Sequence, residues 1–290
     1  MRTVVLVLLY NKKYCESDTL LSFLDYAPND LSIYIFNNGP SNIEQDSVFI
    51  ALNDKFNNVV VDEDLRNKPL SIVYNDFVRK YNEFDRFLIF DDDTKIPPSL
   101  FYDIDNIDHY STDVIVPRVV SSDDEAVYYP LCNSKIVREN TNFKYQDYII
   151  SIGSGLIFYK RLVDKFNKNN LSLFDDRFAL YGVDVSFFRR INYINYIDSD
   201  PINIKCVSYI KHSLSRVNAC FTEWRDKERL YDAILSNMFY EKSLYNKVIN
   251  LTRLVLKKIL KGKFNHLIII FKILKIKMHP RCKKFIDDIK

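Results

Sequence analysis

Glycine is scarce in this chain, with five residues among 290, at positions 39, 153, 155, 182 and 262. Neither G-x-G-x-x-G nor G-x-x-x-x-G-K-[ST] occurs. That excludes the two glycine-rich loops that cradle phosphates in dinucleotide-binding and P-loop proteins. Where glycine is so rare, each one is expected at a turn with positive φ or at a close backbone approach. Cysteine is also sparse: Cys15, Cys132, Cys206, Cys220 and Cys282 form no C-x-x-C pair. A disulfide framework or a zinc site is therefore not expected, and a reducing cytoplasm fits best. No apolar run approaches the roughly 18 residues of a membrane span. Val4–Tyr10 is apolar, but no small-residue cleavage site follows, so a first core strand is the expectation rather than a signal segment.

What is present is a chain with 47% hydrophobic residues, enough for a sizeable core. Short apolar runs alternate with helical patterns. Strands are expected at Val4–Leu9, Leu31–Phe36, Val59–Val61 and Phe87–Phe90. Between them fall helices from Ser17 to Tyr26, near Ile43–Leu52, and from Pro69 to Tyr81. This alternation predicts βαβ units and an α/β fold with a mostly parallel sheet. Further on come a helix at Pro98–Asn106, strands at Val114–Val116, Leu156–Tyr159 and Ile204–Ile210, and an irregular polar stretch from Ser121 to Asn142.

The chain is organised around Phe87-Leu88-Ile89-Phe90-Asp91-Asp92-Asp93-Thr94. Four apolar residues read as a buried strand, and three carboxylates follow. In an open α/β sheet, ligands bind beyond the carboxyl ends of the strands. Clustered carboxylates repel one another and resist desolvation, which a divalent cation relieves. The bland alternative is a solvated acidic turn whose aspartates cap the next helix. Asn11, Asn37 and Asn38 also follow strand ends and should line the same crevice.

A second dense region runs from Phe174 to Arg190 and contains Tyr181-Gly182-Val183-Asp184-Val185-Ser186. Taken in order, these motifs over roughly residues 3–215 resemble the inverting family 2 glycosyltransferases of the GT-A fold. The similarity is to the bacterial branch with rhamnosyl- and galactofuranosyltransferases of surface polysaccharide (O-antigen, capsule, lipopolysaccharide) synthesis. Leu9-Tyr10-Asn11 resembles the opening nucleotide-binding loop, and Ile33–Gly39 the second strand and its turn. Arg66–Asn75 resembles the N-x-G-x-[SA]-x-x-x-N segment, with Pro69 in the glycine position. Asp91-Asp92-Asp93 matches D-x-D, and Gly153-Ser154-Gly155 the glycine-containing acceptor segment. Tyr181–Ser186 matches Y-G-E-D-x-D, keeping Asp184 but with Val183 and Ser186 where acidic residues are common.

The resemblance implies an enzyme that moves a sugar from a nucleotide-sugar donor (UDP- or dTDP-linked) to a saccharide or lipid-linked saccharide. Asp184 would be the general base; a helix N-cap is the bland alternative. Asp93, with Asp91 and His212, would hold Mn²⁺ or Mg²⁺ against the diphosphate. Asp91 faces the ribose in the alternative division of labour. Tyr10, Asn11, Asn38, Asn67, Asn75, Asp92 and Gly155 complete the expected donor site. The absence of acid at Val183 and Ser186 opens a second reading, a catalytically weakened protein that binds nucleotide sugars or glycans. A phosphatase of the haloacid dehalogenase type would need D-x-D-x-T, but Lys95 stands at the last position.

Charge is unevenly spread. Residues 241–290 hold 14 Lys and Arg against 3 Asp and Glu, a net of +11, which leaves −8 for residues 1–240 of a chain carrying +3. A catalytic domain over 1–215 and a basic helical extension over 216–290 are expected. The extension either packs with a solvated lysine face or lies on the inner-membrane surface. Nucleic acid is not an expected partner, since no recognition motif accompanies the charge.

Overall fold

The computed structural model of the chain describes residues 1–214 and 222–288. Two compact units emerge. One comprises Met1–Asn67, Asp76–Leu173 and Arg190–Ala219, the other Lys68–Asn75, Phe174–Arg189 and Cys220–Lys290. The boundary expected at 215/216 lies outside the described residues.

The first unit is built on a mixed sheet. Its strands are β1 (Thr3–Leu9), β2 (Ser32–Asn37), β3 (Asn58–Glu63), β4 (Arg86–Asp91), β5 (Thr94–Lys95), β6 (Val114–Ser121), β7 (Val127–Tyr129), β10 (Thr141–Asn142), β12 (Leu156–Tyr159) and β13 (Ile204–His212). The spatial order is β10-β13-β6-β12-β4-β1-β2-β3, with β5 on β13 and β7 on β6. β8 (Leu131–Cys132), β9 (Lys135–Ile136) and β11 (Ile149–Ile150) form a separate small sheet. β1 pairs in parallel with β2 and β4, and β2 with β3. β12 runs antiparallel between β4 and β6, but β6 pairs in parallel with β13, so the sheet is mostly parallel, as expected, with β12 set against the common direction.

The central strands are buried on both faces, as their unbroken apolar sequences require. One face is mainly aliphatic. Val5, Val7, Leu88, Phe90 and Ile157 meet Leu20 and Phe23 of α1 (Asp18–Tyr26), Leu52 of α2 (Ser47–Lys55) and Leu100 of α4 (Leu100–Asp105). The other face is aromatic. Phe87 stacks on Phe158 at 5.2 Å and meets Phe77 edge-on at 5.9 Å. Phe77 and Tyr81 come from α3 (Leu70–Lys80) and its end.

Caps set the helix boundaries. Ser17 accepts the Leu20 N–H at 3.2 Å and starts α1 where expected. α2 begins later than the expected Ile43, because Asp46 accepts the N–H groups of Val48 and Phe49, both at 3.0 Å, and so fixes the N-terminus there.

Asp113 anchors the start of β6. It is fully buried, 2.7 Å from Arg161 Nε and 3.1 Å from Lys165 Nζ, both on α5 (Lys160–Lys168). The oxygen that faces Lys165 also accepts the Asn203 N–H at 2.7 Å, beside the start of β13. Both strands lead toward the site described below.

The second unit is helical: the start of α3, the start of α6 (Val183–Ile197), α7 (Glu223–Tyr240), α8 (Leu244–Leu260), α9 (Phe264–Ile276) and α10 (Pro280–Asp287). Tyr74, Phe174 and Phe187 pack as an aromatic column at 4.9 and 5.2 Å. Buried Glu228 on α7 meets His279 and Arg281, at 3.2 and 2.9 Å. His279 Nδ1 accepts the Arg281 N–H at 3.1 Å.

Removing the Asp113 carboxylate takes the buried partner from two cations and from the Asn203 N–H, leaving buried Lys165 with exposed Asp200 and the Pro201 carbonyl. Asp113→Ala is expected to cost about 3–5 kcal/mol in urea unfolding. A loss below about 1 kcal/mol would show that the cluster is solvated instead.

Candidate active site

β1, β2 and β4 are parallel neighbours, so their carboxyl ends share one edge. Leu8 pairs with Asp91, and Leu9 with Asn37. Tyr10, Asn11 and Lys12 leave β1, Asn38 leaves β2, and Asp91-Asp92-Asp93 turns from β4 into β5. The loops are cross-tied. Asn11, in the left-handed region at φ 54°, donates its N–H to Gly39 O at 2.7 Å. The Asn38 N–H donates to Leu9 O at 2.8 Å, and the Tyr10 N–H to Asp92 Oδ2 at 3.1 Å.

The three carboxylates have different surroundings. Asp92 is held by Lys12, whose Nζ lies 2.7 Å from Oδ1. Burial pushes the Asp92 carboxyl up, and Lys12 offsets only part of the rise. Asp93 Oδ1 lies 3.1 Å from His212 Nδ1. Burial raises Asp93 too, but the hydrogen bond and charge of His212, with Lys12 behind, bring it below its ordinary value. Asp91 Oδ2 lies 3.9 Å from His212 Nε2.

The turn is clamped from beneath. Thr19 Oγ1 donates to the carbonyls of Asp91 and Thr94 and accepts the Thr94 N–H at 3.1 Å. Ser17 Oγ donates to Asp92 O at 3.0 Å. Ser154 Oγ accepts the Asp91 N–H at 3.0 Å and lies 2.6 Å from Thr94 Oγ1, which in turn lies 3.0 Å from His212 Nδ1. The imidazole is therefore oriented by a hydroxyl as well as by Asp93.

A β-bulge determines which way His212 faces. Cys206 pairs with Val116 and Tyr209 with Arg118, so Val207 and Ser208 together oppose Pro117. Proline has no N–H to give the ladder, and the extra residue, with Ser208 at φ 62°, sits opposite it. One inserted residue reverses the pleat. Lys205 shares the face of Ile115, while beyond the bulge Ile210 shares that of Val119, and His212 follows it. Without the bulge His212 would point to the opposite face.

The ligand atoms of Asp91, Asp93 and His212 lie within 4.8 Å of one another. Among the described residues this is the group able to converge on one metal ion. Two carboxylates and one imidazole suit a hard-to-borderline divalent cation, the imidazole favouring Mn²⁺ over Mg²⁺.

Other expected site residues stand as follows. Asp92 faces Lys12, apart from this group. Gly155, at φ 80°, donates its N–H to Ile89 O, and a Cβ there would come within 2.7 Å of Ile210 and 2.8 Å of Pro117. Its place is in sheet packing, and its neighbour Ser154 is the residue that reaches the turn. Asn67 ends the first segment of the first unit in the left-handed region, at φ 56°.

Asn75 belongs to the second unit. Its amide donates to Phe174 O at 2.8 Å and to Asp176 at 2.7 Å, and accepts the Phe174 N–H at 3.1 Å. These bonds take up the groups expected to read a nucleoside. Asp184 also lies in the second unit, half-buried in the first turn of α6, where the helix dipole favours negative charge. Val183 and Ser186 are both fully buried, and Ser186 Oγ donates to Val183 O at 2.7 Å. At both positions an acidic side chain would be desolvated in this core. Ser154, Thr94, Lys12 and Thr19 carry no sequence signal strong enough to single them out. Thr94 and Ser154 fall inside quoted motifs without a role of their own there, and Lys12 and Thr19 have only their nearness to Asn11 and Ser17 as a hint.

No protein-family model matches the sequence, and no curated protein matches it. Among solved structures, S. aureus TarS superposes with a TM-score of 0.53 at 16% identity, over 85% of this chain and 45% of that one. The present chain thus spans less than half the length of that protein. TarS 1–349 in complex with UDP superposes at 0.53 and 16% identity, over 83% of this chain and 73% of that one. Its complex with UDP-GlcNAc gives 0.53 and 14%, over 89% and 72%. The likeness establishes the fold, the mixed α/β arrangement of GT-A glycosyltransferases.

A cation bound by this group stabilises the folded chain by mass action. Manganese at a hundredfold excess over its dissociation constant is expected to add about 2.7 kcal/mol, read as a rise in melting temperature. His212→Ala should abolish most of that rise. An equal rise in the variant would place the ion elsewhere.

Proposed function

We propose that the chain is a metal-dependent glycosyltransferase that takes a nucleotide-sugar donor. The observation that carries this reading is the Asp91–Asp93–His212 group at the carboxyl ends of parallel strands in a GT-A fold. The TarS complexes with UDP and UDP-GlcNAc support a uridine nucleotide as the donor carrier, with dTDP the close chemical alternative. The sequence resemblance supports inversion and an acceptor that is a saccharide or lipid-linked saccharide of bacterial surface polysaccharide synthesis.

In this reading Asp91, Asp93 and His212 hold Mn²⁺, or Mg²⁺ in its place. The cation supplies Lewis-acid neutralisation of the charge that grows on the departing diphosphate. Thr94 and Ser154 keep the imidazole and the β4 turn in place, so little reorganisation accompanies that charge. Lys12 holds Asp92 apart from the cation group and sets the path of the β1 loop. Asp184, assigned from its motif, takes the proton of the acceptor hydroxyl as that oxygen attacks the anomeric carbon. Direct displacement inverts the anomeric centre with no covalent intermediate.

The test is a screen of UDP-, dTDP- and GDP-sugars with Mn²⁺, followed by Asp184→Asn with the donor that binds. The variant should lose roughly 10²- to 10⁴-fold in kcat while donor affinity stays within about twofold. Undiminished turnover would remove Asp184 as the base. A donor that binds but transfers to no acceptor would favour the binding-protein reading.

A further inference from the structure

Residues 242–286 contain thirteen Lys and Arg and no Asp or Glu. They form α8, α9 and most of α10. α8 has a packed side and an open one. Lys258 on the packed side is buried, 3.2 Å from Asp226 of α7. On the open side Leu244, Tyr245, Val248, Leu256, Ile259 and Leu260 are all exposed, Leu260 at 86%. At 3.6 residues per turn they fall within one arc of roughly 160°. Arg253 and Lys257, both exposed, border that arc.

α9 repeats the pattern. His266, Ile270 and Ile273 are buried on one side. Phe264, Ile268 and Phe271 make a stripe at i, i+4 and i+7 on the other, at 63%, 69% and 70% exposure. Lys272 is exposed beside it, and exposed Lys275, at i+11, continues its line at the end of the helix. One exposed leucine is ordinary, but nine large apolar side chains on two successive helices form the kind of surface that marks an interaction site.

Charge selects the occupant. A second copy of this face would bring a segment of net +11 against itself. A nucleic acid would meet the cations but leave the apolar stripes in water. Among the described residues no helix is long and apolar enough to cross a membrane. We propose that α8 and α9 lie in the plane of an anionic phospholipid surface, their apolar stripes sunk below the headgroups and their Lys and Arg reaching back to the phosphates. The proposal stands independently of the glycosyltransferase reading.

Vesicle flotation with the full chain tests it. Phosphatidylcholine vesicles containing about 30% phosphatidylglycerol should bind at least ~10-fold better than pure phosphatidylcholine, and binding should fall as salt rises. F264S/I268S/F271S and K257Q/K272Q/K275Q should each cut binding by about tenfold or more, at a melting temperature near that of the parent. A readout that needs no loss of binding is Ile268→Trp in a Trp224→Phe background, whose emission should shift to the blue on anionic vesicles. No binding, equal binding to neutral vesicles, or an unshifted emission would overturn the proposal. So would a concentration-dependent dimer lost in the apolar variant, or oligonucleotide binding that the apolar variant leaves intact.

Discussion

Three consecutive carboxylates at the end of a buried strand impose the main physical constraint on this chain. Two unit charges about 4 Å apart at an effective dielectric near 20 repel by about 4 kcal/mol. The fold relieves this by separating the three. Asp92 is paired with Lys12, while Asp91 and Asp93 are directed toward His212. The opposite effects on Asp92 and Asp93, one raised and one lowered, follow from that division. A pair of carboxylates and an imidazole held this way is a site for one more positive charge, which gives the turn a use beyond its own stability.

Holding that geometry calls on distant parts of the first unit. Thr19 and Ser17 clamp the turn from the start of α1, and Ser154 reaches it from the segment before β12. His212 arrives on the last residue of β13, and its direction depends on the bulge opposite Pro117. Asp113 fixes the other ends of β6 and β13 through buried charge. A change in the register of β13 would therefore remove the imidazole from the group without touching the acidic turn.

The central parallel strands were legible because they are unbroken apolar runs ended by turn residues, as at Phe87–Asp91. α1 was legible because Ser17 caps it. α2 was misplaced by a few residues because the capping role of Asp46 outweighs the apolar pattern that begins at Ile43. The antiparallel strand β12 was found as a strand, but its direction depends on its neighbours, β4 and β6, which one sequence cannot name. Asp91, Asp93 and His212 were legible as types in context. Ser154, Thr94 and Lys12 were not, since a hydroxyl or an amine near a motif gains meaning only from its distance to a partner. Asn75 shows the reverse: a motif position whose amide is taken up by the backbone of Phe174.

The central claim is that one divalent cation sits among Asp91, Asp93 and His212, with Asp92 excluded. Anomalous diffraction at the manganese edge, from crystals grown with Mn²⁺ and UDP, tests it most directly. The predicted result is a single strong peak within ligand distance of Asp91, Asp93 and His212 and of the diphosphate oxygens. A peak coordinated by Asp92, or bound UDP with no peak beside its diphosphate, would contradict the account.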